Sequence, residues 1–412
     1  MQTMTGLNEN NNVVAPTPIA AVLSLTLLAS IGTGVIWNGV PFIAKAEYGY
    51  TQTQTLFMYL VIGLSYISGA LTAARFLKFI ERWMSARTLL VLILIIQSII
   101  CLGPLVVEAA WILWVVVGIT SLLASFLWPI IESYLTAGRH GREMRRAIGW
   151  WNVVWTSSVA ASLWFMAPFL KEDALFAIVA LGGFNVVALV TLYWFKRNPV
   201  VHDREMSEES ITPEYPFLLR SARILLPLSY VLNSALGPLL PYLLNRLEVD
   251  IIWQTPTAAT WMVVRVVAMA LMWWLGFWHG RWGTLLLGGT LITSGFAIIV
   301  LAPVLTILLI GFGLFGAGMG VIYYTALYYA MSVGKAQVDA SGKHESLIGM
   351  GYAIGPAAGL LGMQLPGLLR MEFAEGLGIV YVICGLVLLA AIPAIKPYWK
   401  AKAIRNELTS RK

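Results

Sequence analysis

The sequence predicts an all-helical membrane protein whose twelve transmembrane helices form two pseudo-symmetric bundles of six. Hydrophobic residues make up 59% of the 412 residues and charged residues only 11%. Soluble domains carry about 25% charged residues, so a soluble protein with a large core is excluded. Twelve apolar runs are each long enough to span a bilayer, and one polar stretch divides them six and six.

The chain begins with a polar tail that contains no Lys or Arg and therefore lacks the basic start of a cleavable signal peptide. The predicted spans lie near residues 18–43, 53–76, 87–107, 110–136, 147–170, 174–195, 218–243, 255–278, 284–302, 304–331, 346–369 and 376–398. The resulting segments are a tail (1–17), a first bundle (18–195), a polar linker (196–217), a second bundle (218–398) and a basic tail (399–412).

The basic residues predict the orientation. Of the 27 Lys and Arg residues, 22 lie on one side of the predicted membrane and 4 on the other. Cytoplasmic loops carry an excess of Lys and Arg, so both termini and the linker are expected in the cytoplasm, with the protein in the cytoplasmic membrane. This distribution accounts for the net charge of +7 without a nucleic-acid partner. The bilayer is the expected partner, and a monomer is the expected state.

The two halves carry related landmarks about 200 residues apart. The first span ends in Asn38-Gly-Val-Pro41, and the seventh contains Asn233-Ser-Ala-Leu-Gly237-Pro238. Weak internal symmetry of this kind is typical of transporters built from two repeats, which hold their substrate between the repeats. The halves are therefore expected to enclose a central cavity.

A glycine- and arginine-containing turn follows the eighth span, with Gly276, Gly280, Arg281 and Gly283. This turn, the six-plus-six arrangement and the polar linker together resemble the major facilitator superfamily. That family carries the signature G-x-x-x-D-R-x-G-R-R at the corresponding turn. Gly276, Arg281 and Gly283 match, whereas Gly280 stands where the family has Asp. The resemblance implies that this turn locks the cytoplasmic gate.

The eleventh span contains Gly351-Tyr-Ala-Ile-Gly355-Pro356-Ala-Ala-Gly359. This run resembles the G-x-x-x-G-P-x-x-G signature of antiporters in the family, which usually lies in the fifth span. Small residues four apart let helix backbones approach closely, and proline loosens a helix. Gly355 and Pro356 are therefore predicted to serve packing and gating. The fourth span lacks the Arg-x-x-Gln-Gly pattern of proton-driven drug exporters, which disfavours drug export.

Arg265 is the central candidate for substrate binding. It lies about ten residues into its span, roughly 15 Å deep. An arginine there costs at least about 2.5–3.5 kcal/mol on insertion, so it normally faces a bundle interior or a watery cavity. Its planar donor fork fits a carboxylate. The alternative is a structural arginine bonded to backbone carbonyls or to Asn152 or Asn233.

Polar and aromatic residues inside the other spans are the remaining candidates for the cavity lining. Trp261 lies one helical turn before Arg265 and could stack on it. Tyr324 and Tyr328 share a helix face and either line a cavity or sit at the membrane interface. The full set of predicted substrate contacts is Arg265, Trp261, Asn38, Asn152, Tyr230, Asn233, Tyr324 and Tyr328.

Glu132 is, with Arg265, one of only two charges that we place inside the predicted spans. It lies about 33 Å along its helix, near the cytoplasmic surface, and this depth disfavours a direct pair with Arg265. Three interpretations stay open: a gate residue, a proton carrier and a solvated side chain. As a gate residue it would meet the basic residues that follow its span, Arg142, Arg145 and Arg146.

These patterns predict a secondary transporter that works by alternating access on a small organic solute with an anionic group. Protons are a candidate coupling ion. The alternatives are an exporter of amphiphilic or drug-like compounds and a non-transporting sensor or assembly protein. The sequence contains no cluster typical of a metal site, no phosphate loop and no paired intramembrane carboxylates, so we expect neither an enzyme nor a cofactor.

Overall fold

A computed structural model of the protein describes residues 15–139, 141–200, 213–333, 338–374 and 376–410. Regular structure in these ranges is entirely helical. Residues 1–14 of the predicted polar tail and residues 201–212 of the predicted linker lie outside the described residues. The twelve long helices are α1 (Ile19–Tyr48), α2 (Gln52–Ile80), α3 (Ala86–Cys101), α4 (Trp111–Thr136), α5 (Gly141–Met166), α6 (Phe176–Thr191), α7 (Tyr215–Arg246), α8 (Ile251–Trp274), α9 (Trp282–Leu301), α10 (Leu305–Val333), α11 (Val338–Leu369) and α12 (Leu377–Ser410).

Eleven helices in the described ranges are long and apolar enough to cross a membrane. The twelfth, α5, falls short because Asn152, Thr156 and three serines interrupt its apolar part. It nevertheless packs along α1 and α8 inside the bundle. The prediction of twelve membrane-crossing helices is therefore confirmed, with α5 as the most polar of them.

The packing of the helices repeats with an offset of six. In the first half α1 packs on α5 and α2 on α4; in the second half α7 packs on α11 and α8 on α10. The contacts between the halves follow the same symmetry, because α2 packs on α11 and α5 packs on α8. The predicted pseudo-symmetric arrangement of two six-helix bundles is confirmed.

The two halves touch at both ends of the bundle. We call the basic end the one at which α2, α4 and α8 terminate; there the Trp150 and Trp273 rings lie 5.3 Å apart across the halves. At the opposite end, Lys45 Nζ donates a 2.8 Å hydrogen bond to the carbonyl of Pro241. The Tyr242 hydroxyl donates to the carbonyl of Tyr50 at 2.5 Å.

Several helices depart from a continuous α-helix or from their predicted bounds, among them α1, α12 and α11. A π-helical turn, Val35–Gly39, interrupts α1. At the other extreme of the chain, α12 continues to Ser410, beyond the predicted boundary at 398. The start of α11 also lies earlier than predicted, because its helix begins at Val338 and its apolar span at His344. This shift brings two polar residues, His344 and Glu345, into the buried interior.

Glycines set the close approach of α8 to α10. A Cβ at Gly316 would lie 2.1 Å from the carbonyl oxygen of Trp261, and a Cβ at Gly320 would lie 3.0 Å from that of Arg265. A side chain at Gly316 would therefore push α8 away. The glycines of α10 thus fix the position of the helix that carries Arg265.

Glycines of the G-x-x-x-G-P-x-x-G run do the same for α11. A Cβ at Gly355 would lie 2.1 Å from Ser234 Oγ, and a Cβ at Gly351 would lie 2.5 Å from the carbonyl oxygen of Pro227. Both neighbours belong to α7. The run therefore packs α11 tightly on α7 inside the second half, and Pro356 follows directly on this contact.

Candidate functional site

A cavity lies between the two halves, and eight of its fourteen lining residues are aromatic. Its volume is about 60 Å³. This volume suits a few water molecules rather than an organic solute. The aromatic residues are Trp37, Tyr66, Trp128, Trp151 and Trp155 of the first half and Tyr230, Tyr323 and Tyr352 of the second.

Arg265 lines this cavity and is 1% exposed. Its Nη2 donates a 3.2 Å hydrogen bond to the hydroxyl of Tyr230. The guanidinium carbon lies 4.6 Å from the ring centre of Trp155 and 5.0 Å from that of Tyr323. Among the described residues the guanidinium forms no ion pair with a carboxylate. Aromatic faces therefore provide most of the surroundings of this buried cation.

Two N–H donors at the cavity have no hydrogen-bond partner among the described residues. They are Nε of Arg265 and Nε1 of Trp151, and both side chains are buried. A buried donor without a partner costs about 1–3 kcal/mol, and more when it is charged. Two such donors, one of them cationic, suit a ligand that presents acceptor oxygens with negative charge.

Six of the eight predicted substrate contacts fall into two groups in the structure. Asn38, Tyr230 and Arg265 line the cavity. Asn152, Asn233 and Trp261 are buried next to other helices. Asn152 Oδ1 accepts a 3.2 Å hydrogen bond from Trp155 Nε1, so it positions the ring on which Arg265 is stacked. Trp261 packs edge-on against Phe315 at 5.4 Å.

Tyr324 and Tyr328 lie near the basic end rather than at the cavity. Tyr324 packs against Trp278 at 5.8 Å, and Tyr328 is stacked on His279 with ring centres 4.5 Å apart. The neighbouring Tyr323 is the residue of α10 that reaches the cavity. Because each residue turns a helix by about 100°, an offset of one residue selects a different face.

Glu132 and Glu345 meet across the two halves. Their side chains are 2% and 4% exposed, and the packing of α4 on α11 brings the two carboxyl groups close enough to interact. The hydroxyl of Tyr66 donates to Oε2 of Glu345. The expectation of only two charges inside the spans was wrong, because the apolar run from which the eleventh span was predicted begins after Glu345 although the helix does not. The two residues are paired intramembrane carboxyl groups, which we did not expect from the sequence.

The predicted basic partners of Glu132 begin α5. Arg142, Arg145 and Arg146 are exposed there, and Arg145 interacts electrostatically with His279. The buried arginine of this region is Arg139. Its guanidinium donates to the carbonyls of Tyr134 and Leu135 at the end of α4, so it caps that helix.

In the turn between α8 and α9, the backbone conformation requires glycine at one position, Gly280. Gly280 has φ +70°, a conformation that side chains rarely adopt, and its N–H donates a 2.9 Å hydrogen bond to the Tyr329 hydroxyl. The backbone thus explains the glycine at the position where the family has Asp. Gly276 and Gly283 have space for a Cβ, and Arg281 is exposed.

The principal residues that sequence reasoning missed are Trp155, Tyr323 and Glu345. Trp155 and Tyr323 are aromatic residues in apolar helices that contain many others, so their type gives no signal. Glu345 had one usable signal: it follows His344 and directly precedes an apolar run. A helix extended by one turn would have carried both polar residues into the interior.

Two six-helix halves around a central cavity are the architecture of a multi-pass membrane carrier. The family model of the Major Facilitator Superfamily matches residues 22–360. The chain therefore belongs to the Major Facilitator Superfamily, as its motifs suggested. No curated protein sequence matches the chain.

Solved transporters share the fold at low sequence identity. A bacterial homologue of the human lysosomal transporter Spinster, in an inward-facing unoccupied conformation, is 12% identical with a TM-score of 0.66, over 94% of this chain and 98% of that one. The nucleoside transporter NupG is 12% identical (TM-score 0.62, 92% and 98% covered). The human organic anion transporter MFSD10 is 13% identical (TM-score 0.61, 91% and 98% covered). At these identities the comparison shows the fold.

Proposed function

We propose that the protein is a secondary active transporter of a small organic solute with an anionic group, and that it works by alternating access. The observation that carries the proposal is Arg265, a cation buried at the cavity between the halves with an unpartnered Nε. A substrate anion bound there would supply the missing partner. The description of MFSD10 as an organic anion transporter supports this substrate class.

The geometry between the halves supports alternating access. Contacts join the halves at both ends, and the cavity between them, at about 60 Å³, is too small for most organic solutes. Passage therefore requires the contacts at one end to break while those at the other hold. We place the protein in the cytoplasmic membrane as a monomer with both termini inside, on the distribution of basic residues.

The aromatic lining favours a second candidate substrate class, an amphiphilic or drug-like solute. Tyr230 and Tyr352 pack 5.1 Å apart beside Trp37, and such rings accept planar apolar groups as readily as they accept a cation. The two candidates differ in their dependence on charge. An anion requires the Arg265 guanidinium, whereas an apolar or cationic solute does not.

The test is ligand-induced thermal stabilisation of the purified protein across organic anions, amphiphilic cations and neutral sugars. Arg265→Lys keeps the charge but loses the two-pronged donor, and should weaken anion binding about ten- to hundredfold, the equivalent of about 1.5–3 kcal/mol. Arg265→Ala should abolish the response while the protein still folds. Arg220→Ala, which removes an exposed arginine, is the matched control.

Two results would contradict the proposal. One is a wild-type response confined to amphiphilic cations or neutral sugars, which would favour the second candidate. The other is an Arg265→Ala variant that keeps the full anion response, which would make Arg265 a structural residue. A stabilising anion that is not exchanged across proteoliposomes would instead favour a sensor built on the transporter fold.

A further inference from the structure

We propose that Glu132 and Glu345 form a proton-binding site shared by the two halves, and that this proton is the ion coupled to transport. The coupling rests on the transport function proposed above, whereas the proton site itself does not. Glu132 belongs to α4 of the first half and Glu345 to α11 of the second. The proton would therefore form part of the contact between the halves.

A hydrogen bond between two adjacent carboxyl groups requires a proton. A carboxylate only accepts hydrogen bonds, so at least one of the two groups must be protonated to donate. The Tyr66 hydroxyl occupies Oε2 of Glu345 as a donor and cannot replace that proton between the two acids. Both side chains are almost completely buried, so bulk water does not solvate the pair.

The surroundings suit a site that gains and loses a proton. Among the described residues, Arg265 is the only cation that lines the adjoining cavity, and it interacts with Tyr230, as do both carboxyl groups. His344, directly before Glu345, is 5% exposed, and its Nε2 has no partner among the described residues. The titratable and charged groups around the pair are Tyr66 of α2, Tyr230 and Arg223 of α7, Arg265 of α8, Tyr323 of α10, and His344 and Tyr352 of α11.

Loss of the proton would place two negative charges in contact inside the protein. Like charges at hydrogen-bond distance in a poorly solvated site repel strongly and cannot both persist there. One O–H bond breaks and the proton passes to water. Because the two carboxylates belong to different halves, their separation moves α4 and α11 apart. Glu132 lies four residues before the end of α4, so the contact would open at the basic end.

The proton site is tested without any substrate. Spin labels at Trp83→Cys and Phe277→Cys, two exposed positions on opposite halves at the basic end, report the distance between the halves. Cys101 and Cys384 are first replaced by Ala, and the full chain is placed in lipid nanodiscs. In the otherwise unchanged protein the distance should lengthen as the pH rises from acidic to alkaline values.

Substitutions at the pair should change this response in distinct ways. Glu345→Gln and Glu132→Gln should abolish the lengthening and keep the short distance, because an amide N–H donates to the remaining carboxylate without a bound proton. Glu345→Asp retains a titratable carboxyl and should keep the lengthening. Glu108→Gln, at an exposed acid, is the matched control. A distance independent of pH before substitution, or a normal response in both Gln variants, would overturn the proton site.

The coupling is tested separately from the anion assignment. Arg265→Ala should keep the pH-dependent distance even where it loses its anion response, so a failure of the proposed function does not mask the proton site. A pH dye in weakly buffered solution then measures proton uptake or release when the organic anion that stabilises the protein is added. A proton change that Glu345→Gln loses would support coupling; no change in the wild type would refute it.

Discussion

The guanidinium of Arg265 lies 4.6 Å from the ring centre of Trp155, so a cation of the second half is stacked on an aromatic side chain of the first. Its hydrogen-bond acceptor, Tyr230, belongs to its own half. A separation of the halves at this contact would leave Arg265 with the hydroxyl and remove the ring. The arrangement links the surroundings of the proposed anion-binding group to the conformation of the protein.

Removal of the Trp155 ring should therefore destabilise this closed arrangement through Arg265. A cation–π contact of this kind contributes about 0.5–2 kcal/mol. We expect Trp155→Leu and Arg265→Ala to be non-additive, with a coupling energy of that size in a double-mutant cycle of unfolding free energies in detergent. Trp155→Phe should retain part of the coupling. Additive effects would mean that the stacking contributes nothing to stability.

The glycines of α10 should control the position of Arg265 without touching a ligand. Gly316→Ala introduces a Cβ 2.1 Å from the carbonyl oxygen of Trp261 and should destabilise the protein by about 1–3 kcal/mol. Gly313→Ala on the same helix meets nothing within 4 Å and is the matched control. Both variants are compared by thermal unfolding and by anion-induced stabilisation. Equal behaviour would show that α8 and α10 tolerate a wider spacing.

His279 should make stability depend on pH at the basic end. Partial burial against Trp278 and Tyr328, with Arg145 nearby, lowers the pKa of His279 below its ordinary value of 6.5. Protonation of the His279 imidazole is therefore less favourable in the folded state than in the unfolded chain. The stability contribution of His279 is present above pH 6.5 and is lost as the pH falls below it toward the folded pKa.

The comparison of wild type with His279→Gln isolates this effect. The melting temperature of the wild type should fall relative to that of the variant as the pH is lowered through 6.5. Arg145→Ala removes the neighbouring positive charge and should reduce the fall. A constant difference between wild type and His279→Gln across this range would show that the histidine keeps the same pKa when the chain unfolds.

The linker provides a test of orientation. Residues 196–216 contain Pro199, Pro213 and Pro216 with charges of both signs, which predicts an accessible cytoplasmic segment. Limited proteolysis should cut this segment in inside-out vesicles and leave it intact in right-side-out vesicles. The reverse pattern would invert the predicted topology of every helix.

The sequence was sufficient for the fold because hydropathy and the spacing of charged loops directly record membrane crossings. A buried charge such as Arg265 is also visible in sequence, since its position within an apolar run indicates its depth. The partners of that charge were not visible. Trp155 lies more than a hundred residues earlier, in the other half, and only the symmetric packing of α5 on α8 brings it to Arg265.

Glu345 escaped prediction for a different reason. Hydropathy indicates where apolar residues begin, whereas burial at the start of α11 arises from its packing against α2 and α4. A polar residue in that position is enclosed by neighbours that are remote in sequence. The error at Tyr324 was smaller and purely geometric, because Tyr323 one residue earlier faces the cavity.

The π-helical turn of α1 has a consequence for any residue-by-residue labelling study. The turn Val35–Gly39 places Trp37 and Asn38 at the cavity. Its backbone hydrogen bonds join residues five apart instead of four apart, so the turn contains one residue more than an α-helical turn. The segments before and after it therefore follow two different helical phases. In a cysteine scan along α1, the reactivity of the introduced thiols should vary with a period of about 3.6 residues, and this periodic pattern should shift by one residue within the turn.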